Sequence, residues 1–227
     1  MNLLIIAAAG TGSRLGRNEP KALVPLLGRP LVSWSLDALS TLPFARGVVA
    51  VPPGRESEFE ALVGGRLSIV AGAGTRSGSV RRAFEELDAE PADLVCIHDA
   101  ARPLVTAAEA RSVVDAAQRT GAAIAATRLV DTVKQVDGDR IVATLDRRCL
   151  FAAGTPQVFR SDLLARALES QGEASDEAAL LEEVGVPVSV VPVSRLSFKI
   201  TTEEDLEMAE AILWRRNTDH GTRNTDR

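Results

Sequence analysis

The amino-terminal segment places the strongest constraint on what this chain can fold into. A continuous apolar run, residues 3–9, breaks abruptly into a glycine-rich stretch, residues 10–16. A run this short and this apolar, closed by glycines, predicts a strand that is buried on both faces and opens into a loop. The glycines let backbone N–H groups approach an anion, and Arg14 and Lys21 add positive charge beside them. The segment therefore predicts a phosphate site at the end of the first strand.

Two familiar glycine-rich motifs are excluded by their spacing. A dinucleotide fingerprint requires a glycine where Leu15 stands, and a Walker A loop requires Gly-Lys-Ser/Thr, whereas Lys21 lies between Pro20 and Ala22. The glycines alone are equally consistent with a tight turn flanked by surface basic residues. Arg14 together with Lys21 favours the functional interpretation.

Composition narrows the class of protein. The chain has 227 residues, a net charge of −5, 45% hydrophobic residues and 25% charged residues, which suits one large α/β domain or two small ones. The negative charge argues against a general nucleic-acid-binding surface. Two cysteines cannot build a disulfide framework or a zinc site, so we expect a reducing, cytoplasmic setting. The apolar amino-terminal run is too short for a membrane span and wrongly flanked for a signal peptide.

Further apolar strands alternate with helical patterns along the chain, at residues 47–52, 67–71, 93–98 and 122–126. This alternation predicts a parallel sheet with right-handed crossovers. We expect a single α/β domain over residues 1–216, with a Rossmann-like, mostly parallel sheet flanked by helices.

A second glycine-rich loop, residues 72–79, follows the third strand, and Asp99 and Arg102 follow the fourth. Ligands of open parallel sheets lie outside the carboxyl ends of the strands, so both loops should face one crevice. Asp99 could hold a divalent cation or a ribose hydroxyl. The alternatives are a connector with a helix cap at Ser77 or Ser79, and an Asp99 that merely completes a turn.

The pattern of apolar and polar residues changes after the fifth strand. Apolar and polar residues alternate over residues 131–145 around Asp137-Gly138, a strong hairpin signal. Residues 129–150 are therefore predicted to form a protruding β arm, whose edges a second subunit would cover, giving a homodimer. The polar, aromatic-free residues 217–227 are expected to be a disordered tail. His98 is interpreted as a packed or hydrogen-bonded strand residue, because no nucleophile lies near it in sequence.

Several short motifs follow one another in a fixed order: residues 8–15 with Pro20-Lys21, Gly-x-x-x-Arg-x-x-Ser at 72–79, Asp-Ala-Ala-Arg-Pro at 99–103, Asp-Thr-Val-Lys at 131–134, Thr-Pro-Gln at 155–157 and Phe-Lys-Ile-Thr at 198–201. Together they resemble the 2-C-methyl-D-erythritol 4-phosphate cytidylyltransferase family over nearly the whole chain. The first motif alone indicates only the wider nucleotidyltransferase superfamily.

The resemblance implies a reaction of non-mevalonate isoprenoid synthesis. The phosphate of 2-C-methyl-D-erythritol 4-phosphate attacks the α-phosphorus of CTP, and pyrophosphate leaves with the assistance of Mg²⁺. Such catalysis consists of positioning and charge stabilisation, so no Ser-His or Cys-His pair is required.

The resemblance also assigns roles to residues. Those implied to be catalytic are Arg14, Lys21 and Lys199. Those implied to bind the nucleotide are Ala8, Ala9, Gly10, Gly12, Gly72, Ala73, Gly74, Arg76, Ser79, Asp99 and Ala100. Those implied to bind the polyol phosphate are Asp99, Arg102, Thr132, Arg147, Thr155 and Lys199, with Thr132 and Arg147 reaching across a dimer interface. Asp99 is the candidate metal ligand, while Mg²⁺ is held mainly by the phosphates of CTP.

Two other functions stay open on the sequence. A cytidylyltransferase for another polyol phosphate, such as ribitol 5-phosphate, would share the fold and most nucleotide motifs. Asp131-Thr132 and Arg147 favour methylerythritol phosphate over that alternative. A nucleotide-binding regulatory protein without chemistry would be expected to lack Arg14, Lys21 or Lys199, and all three are present.

Overall fold

We describe a computed structural model that covers residues 1–12, 15–16, 19–169 and 174–222, with side chains described as far as residue 218. The strands are β1 Asn2–Ala7, β2 Pro25–Leu26, β3 Arg29–Pro30, β4 Arg46–Val51, β5 Ser68–Ala71, β6 Leu94–Asp99, β7 Ala122–Arg128, β8 Val133–Asp137, β9 Arg140–Leu145, β10 Phe151–Arg160 and β11 Ser189–Pro192. The helices are α1 Leu31–Ser40, α2 Glu56–Val63, α3 Arg76–Leu87, α4 Ala107–Thr120, α5 Ser161–Leu168, α6 Glu177–Glu183 and α7 Glu203–Thr222.

Within the described residues, seven strands form the central sheet in the order β11-β7-β10-β6-β1-β4-β5. Neighbouring strands are parallel except around β10, which runs antiparallel to both β6 and β7. From β1 the chain crosses to β4 and β5 on one side, and it then returns to β6 on the other side. The order thus reverses between β1 and β6, and ligands of such sheets bind at the carboxyl ends beside this point. The predicted Rossmann-like, mostly parallel sheet is confirmed.

Strand β1 explains why its sequence is apolar without alternation. Leu3 and Ile5 point to the face covered by α3, α5 and α6, while Leu4 and Ile6 point to the face covered by α1, α2 and α4. All four side chains are at most 3% exposed. Burial of each contributes about 1.5–3 kcal/mol to folding. The strand therefore lies in the centre of the molecule and fixes where the loop after it begins.

The predicted hairpin is present as β8 and β9, joined at Asp137-Gly138. Its base is closed by a hydrogen bond from Leu129 N to Leu150 O. Because this arm is inserted between β7 and β10, the returning strand β10 runs back alongside β7, which makes it antiparallel to the strands around it. Val136 and Ile141, which pair across the arm, are 58% and 62% exposed.

Two local predictions are corrected by the structure. Helix α3 is capped by Thr75, whose hydroxyl accepts a hydrogen bond from Gly78 N, and not by Ser77 or Ser79. Helix α7 extends to Thr222, so residues 217–222 are helical where disorder was expected, and residues 223–227 lie outside the described chain. A polar composition argues against core burial, but a helix can form without it, and no proline or glycine interrupts this one before residue 221.

Among the described residues, none of the helices combines the length and the apolar character that crossing a bilayer requires.

Candidate active site

A pocket of about 270 Å³ opens at the carboxyl ends of β1, β5 and β6, beside the point where the strand order reverses. Four segments surround it: the loop after β1, the loop after β5, the turn after β6 and the extended segment that carries Lys199. Its lining consists of Ala7, Ala8, Ala9, Gly10, Thr11, Lys21, Ala22, Ala73, Gly74, Thr75, Arg76, Ser79, Asp99, Ala100, Ala101 and Lys199. Most of the residues predicted from the two glycine loops and from Asp99 are thus brought together.

The loop after β1 is closed on itself by backbone contacts. Lys21 N donates to Gly10 O at 3.0 Å, which returns the chain to the strand end and places Lys21 in the pocket wall. Gly12 has a φ of +74°, and a Cβ there would meet the backbone of Glu19 and Lys21 at 3.2–3.3 Å. Glycine is therefore required at this position both by conformation and by space.

The loop after β5 packs tightly on the loop after β1. A Cβ on Gly72 would lie 2.5 Å from the Cβ of Ala9 and 2.8 Å from the Oγ of Ser79, so only glycine fits there. The Ser79 hydroxyl accepts from Ala73 N at 2.9 Å and lies 2.8 Å from Thr75 O, to which it donates. Its hydrogen bonds are thus made within the loop, and Ser79 shapes the pocket wall.

Asp99, at the end of β6, holds two cations in the pocket. Its Oδ1 accepts from Arg76 Nε at 2.9 Å, and its Oδ2 accepts from Lys199 Nζ at 2.8 Å. Burial by itself raises the pKa of Asp99, but the charges of Arg76 and Lys199 outweigh burial and hold the pKa well below its usual range. Asp99 is therefore ionised at neutral pH.

Glu177, in the first turn of α6, extends this ionic chain behind the pocket. Both of its carboxylate oxygens lie 2.8 Å from Arg76 Nη1, and the side chain is fully buried. Burial raises the pKa of Glu177, and the charge of Arg76 opposes that shift. Burial lowers the pKa of Arg76, but the carboxylates of Asp99 and Glu177 together raise it by more than burial lowers it. The guanidinium therefore stays charged.

Sequence reasoning missed Glu177, because an acidic residue at the start of a helix is already explained by the helix dipole. The residue lies 101 positions from Arg76 in sequence. Nothing local in the sequence signals that pairing.

Lys199 reaches the site from a short extended segment rather than from a strand of the sheet. Ile200 N donates to Ala101 O at 2.8 Å, and the Ile200 side chain is buried against Leu26, Leu104 and α7. This anchoring places Lys199 beside Asp99. The pocket wall therefore carries Lys199 together with Lys21 from the first loop.

Arg102 is held from several sides. Its Nη1 donates to Ser197 O at 3.1 Å and its Nη2 donates to Ala153 O at 3.3 Å. Its Nε is buried without a hydrogen-bond partner among the described residues and lies 3.9 Å from the Asp99 carboxylate. Burial lowers the pKa of Arg102, but an arginine keeps its charge in spite of such a shift.

The remaining predicted residues fall into three places. Thr155 is only 4% exposed, does not line the described pocket and accepts a hydrogen bond from Asp99 N at its Oγ1. Thr132 and Arg147 are exposed on the arm and its return, and neither lines the described pocket, while Arg147 Nη1 donates to Val130 O. Arg14 lies outside the described residues.

A pocket walled by glycine loops and basic side chains, at the reversal point of a Rossmann-like sheet, indicates a nucleotide-binding protein, and the motif at residues 8–15 with Pro20-Lys21 indicates a nucleotidyltransferase. Comparison with known proteins gives the particular family. The chain belongs to the 2-C-methyl-D-erythritol 4-phosphate cytidylyltransferase (IspD) family, whose model matches residues 2–215.

Relatives and solved structures agree with this assignment. The chain is 40% identical to the 2-C-methyl-D-erythritol 4-phosphate cytidylyltransferase of Desulforamulus reducens, over 94% of this chain and 96% of the relative. It is 43% identical to the enzyme of the same name from Frankia casuarinae, over 93% and 80%. The crystal structure of the Thermus thermophilus enzyme superposes with a TM-score of 0.79 at 35% identity, covering 92% of this chain and 97% of that one.

Proposed function

We propose that this protein transfers the cytidylyl group of CTP to 2-C-methyl-D-erythritol 4-phosphate and releases pyrophosphate, as a step in isoprenoid precursor synthesis. The observation that carries the proposal is family membership over nearly the whole chain, matched by a pocket that gathers Lys21, Arg76 and Lys199 around Asp99.

In this reaction an oxygen of the polyol phosphate attacks the α-phosphorus of CTP, and the bond from that phosphorus to the bridging oxygen of the pyrophosphate breaks. A phosphate monoester is largely ionised at neutral pH, so its oxygen attacks without giving up a proton to the protein. This is consistent with the lining of the pocket, in which the described residues include no histidine or cysteine. The protein then has two tasks: it aligns the two substrates, and it stabilises the negative charge that develops on the phosphates.

The pocket offers positive charge for that work. Lys21 and Lys199 can contact the triphosphate, and Arg14 follows the first glycine loop in sequence. Lys199 is paired with Asp99, which orients its ammonium group before a substrate arrives. A preorganised cation costs little reorganisation when charge develops in the transition state.

Asp99 fits a role in holding Mg²⁺. Its carboxylate is ionised and lines the pocket, and Mg²⁺ at nucleotide sites is usually held by one or two carboxylates together with substrate phosphates. The described residues contain no cluster of three or more possible metal ligands, which agrees with a cation held largely by the nucleotide. When bound, Mg²⁺ neutralises charge on the phosphates.

Base selection is proposed to depend on backbone groups. Ala73 and Gly74 line the pocket beside the first loop, in a wall that the Ser79 hydroxyl holds in shape, and their backbone is the part that we expect to meet the base. Fixed backbone donors and acceptors reject a base whose polar edge leaves them unpaired.

The working unit is proposed to be a dimer joined through the β arm. The arm exposes apolar side chains, and an isolated two-stranded hairpin is only marginally stable in water. Exchange of arms between two subunits would cover these side chains, and it would bring Thr132 and Arg147 to the pocket of the partner.

The test is pyrophosphate release with CTP and a panel of polyol phosphates that includes 2-C-methyl-D-erythritol 4-phosphate and ribitol 5-phosphate. We expect the methylerythritol compound to have the highest kcat/KM, and CTP to be preferred over UTP and ATP. Preference for ribitol 5-phosphate would support the alternative polyol substrate, which the family match disfavours. Comparable kcat/KM values for CTP and ATP would contradict the cytidine assignment.

A further inference from the structure

His98 is fully buried next to Asp99 and does not line the pocket. Its ring makes two hydrogen-bond contacts: Nε2 lies 3.2 Å from Arg102 O, and Nδ1 lies 3.0 Å from the Oγ1 of Thr155. A third contact completes the set, because Asp99 N donates to Thr155 Oγ1 at 3.1 Å. The imidazole and the hydroxyl thus connect β6, the turn after it and strand β10.

The chemistry of the partners fixes the direction of each hydrogen bond. Arg102 O is a carbonyl and can only accept, so His98 Nε2 carries the hydrogen. A neutral ring then has an unprotonated Nδ1, which accepts from the Thr155 hydroxyl, and the Thr155 oxygen in turn accepts from Asp99 N. The His98 ring is fully buried and both of its hydrogen-bond partners are uncharged, so the surroundings favour the neutral ring.

This set of hydrogen bonds holds both ends of one short turn. It fixes the backbone N–H of Asp99 and the backbone carbonyl of Arg102, while the two side chains point to other partners. Asp99 reaches Arg76 and Lys199, and Arg102 is fixed on Ser197 O and Ala153 O. A rotation of the turn would move the Asp99 and Arg102 side chains together.

We propose that His98 is a positioning residue for the transfer reaction: through Thr155 Oγ1 and Arg102 O it braces the turn 99–102, so that Asp99 and Arg102 are presented together to the substrates. The inference rests on the proposed function for its effect on catalysis. It gives Thr155 the role of a brace, in place of the direct substrate contact that the family resemblance implies.

The first experiment separates bracing from packing by two substitutions at one site. Thr155→Val keeps the shape of the side chain and removes the hydroxyl, whereas Thr155→Ser keeps the hydroxyl and removes a methyl group. We expect Thr155→Val to lower kcat/KM for the polyol phosphate about tenfold, because His98 Nδ1 and Asp99 N would both lose their hydrogen-bond partner, and Thr155→Ser to lower it less. If packing alone mattered, the order would be reversed, and that order would overturn the proposal.

His98 variants extend the comparison. Gln places an amide nitrogen near the position of Nε2 and can still donate to Arg102 O, whereas Leu fills a similar volume without any hydrogen bond. We expect His98→Gln to retain more activity than His98→Leu at equal folded content, measured by circular dichroism. Equal kcat/KM in the two folded variants would contradict the brace. If His98→Leu does not fold, the pair at Thr155 still decides.

A third measurement does not depend on activity. The chain has two histidines, so ¹⁵N chemical shifts of the imidazole nitrogens, with His220→Gln for assignment, report the His98 tautomer directly. We expect the neutral form protonated on Nε2 at neutral pH, and a changed Nδ1 shift in Thr155→Val. A ring protonated on Nδ1, or on both nitrogens, would overturn the proposal. If the wild-type protein does not transfer cytidylyl groups, the proposed function fails, while this measurement still tests the brace.

Discussion

In the pocket, charged side chains from separate segments already contact one another, whereas in the β arm large apolar side chains from two adjacent strands face solvent. Lys199, Asp99, Arg76 and Glu177 form a continuous ionic chain, and the two carboxylates in it are buried. The arm pairs its own backbone but leaves Val136 and Ile141 more than half exposed.

Under the proposed function, this difference predicts that the pocket works within one chain, while the arm depends on a second chain. A buried ionic network is stable only when each charge has its partner within the fold, because an unpaired buried charge is very costly. An exposed hairpin buries no charge and therefore needs no charged partner within its own chain. Changes in the pocket should therefore act within one subunit, and changes in the arm should act through association.

The largest effect is expected from Lys21→Ala. Removal of a cation aimed at developing phosphate charge typically costs a factor of ~10² or more in turnover. We expect a folded protein whose kcat falls by about that factor, measured by pyrophosphate release. Arg111→Ala removes a positive charge from an exposed position on α4 and serves as the control. Near wild-type turnover in Lys21→Ala would remove this residue from the mechanism.

Glu177→Gln tests whether the ionic chain behind the pocket stabilises the fold. Arg76 would keep Asp99 but lose its second carboxylate, and its guanidinium is 23% exposed. We expect the free energy of unfolding to fall by about 2 kcal/mol, below the loss of about 3–5 kcal/mol typical when a fully buried pair is broken.

Urea denaturation measures this loss, with Glu182→Gln on an exposed position of the same helix as the control. Equal stability of the Glu177→Gln protein and the wild type would show that Glu177 is not needed to compensate Arg76.

Ile141→Asp tests whether the arm contributes to the association of two subunits. The side chain is 62% exposed in the single chain, and burying an isoleucine against a partner contributes about 1.5–3 kcal/mol. We expect the dimer dissociation constant to rise at least about tenfold, measured by analytical ultracentrifugation. Met208→Asp, at a 54% exposed position on α7, is the matched control and should leave the dimer unchanged. A wild-type protein that is monomeric at micromolar concentration would refute the dimer.

The most specific test of the arm uses mixed subunits. Lys21→Ala and Arg147→Ala proteins, each inactive alone, are mixed and allowed to exchange. If each arm serves the partner's pocket, a mixed dimer has one site with both defects and one with neither, and its activity should return to about half of the wild-type value. Demonstrated exchange without recovery would show that each subunit builds its own site.

Local patterns in the sequence were sufficient to predict much of the fold. Residues 3–9 predicted the central strand and the loop after it, and Asp137-Gly138 predicted the turn of the arm, because periodicity and turn chemistry act over a few neighbouring residues. The crevice at the strand ends followed from the alternation of strands and helices. Helix α7 shows that composition alone is a weak guide to disorder, because polar residues that were expected to be disordered continue the helix to Thr222.

The tertiary structure alone decided which partners these residues have. Glu177 meets Arg76 across 101 residues, and His98 meets Thr155 across 57 residues. These contacts depend on how α6 packs against the sheet and on how β10 pairs with β6. The sequence determined that Asp99 lies at a strand end in a crevice and that Thr155 lies in a motif of the family. Only packing decided that Asp99 holds two cations and that Thr155 is buried behind it, because hydrogen bonds and ion pairs between distant segments form only after the core has set their positions.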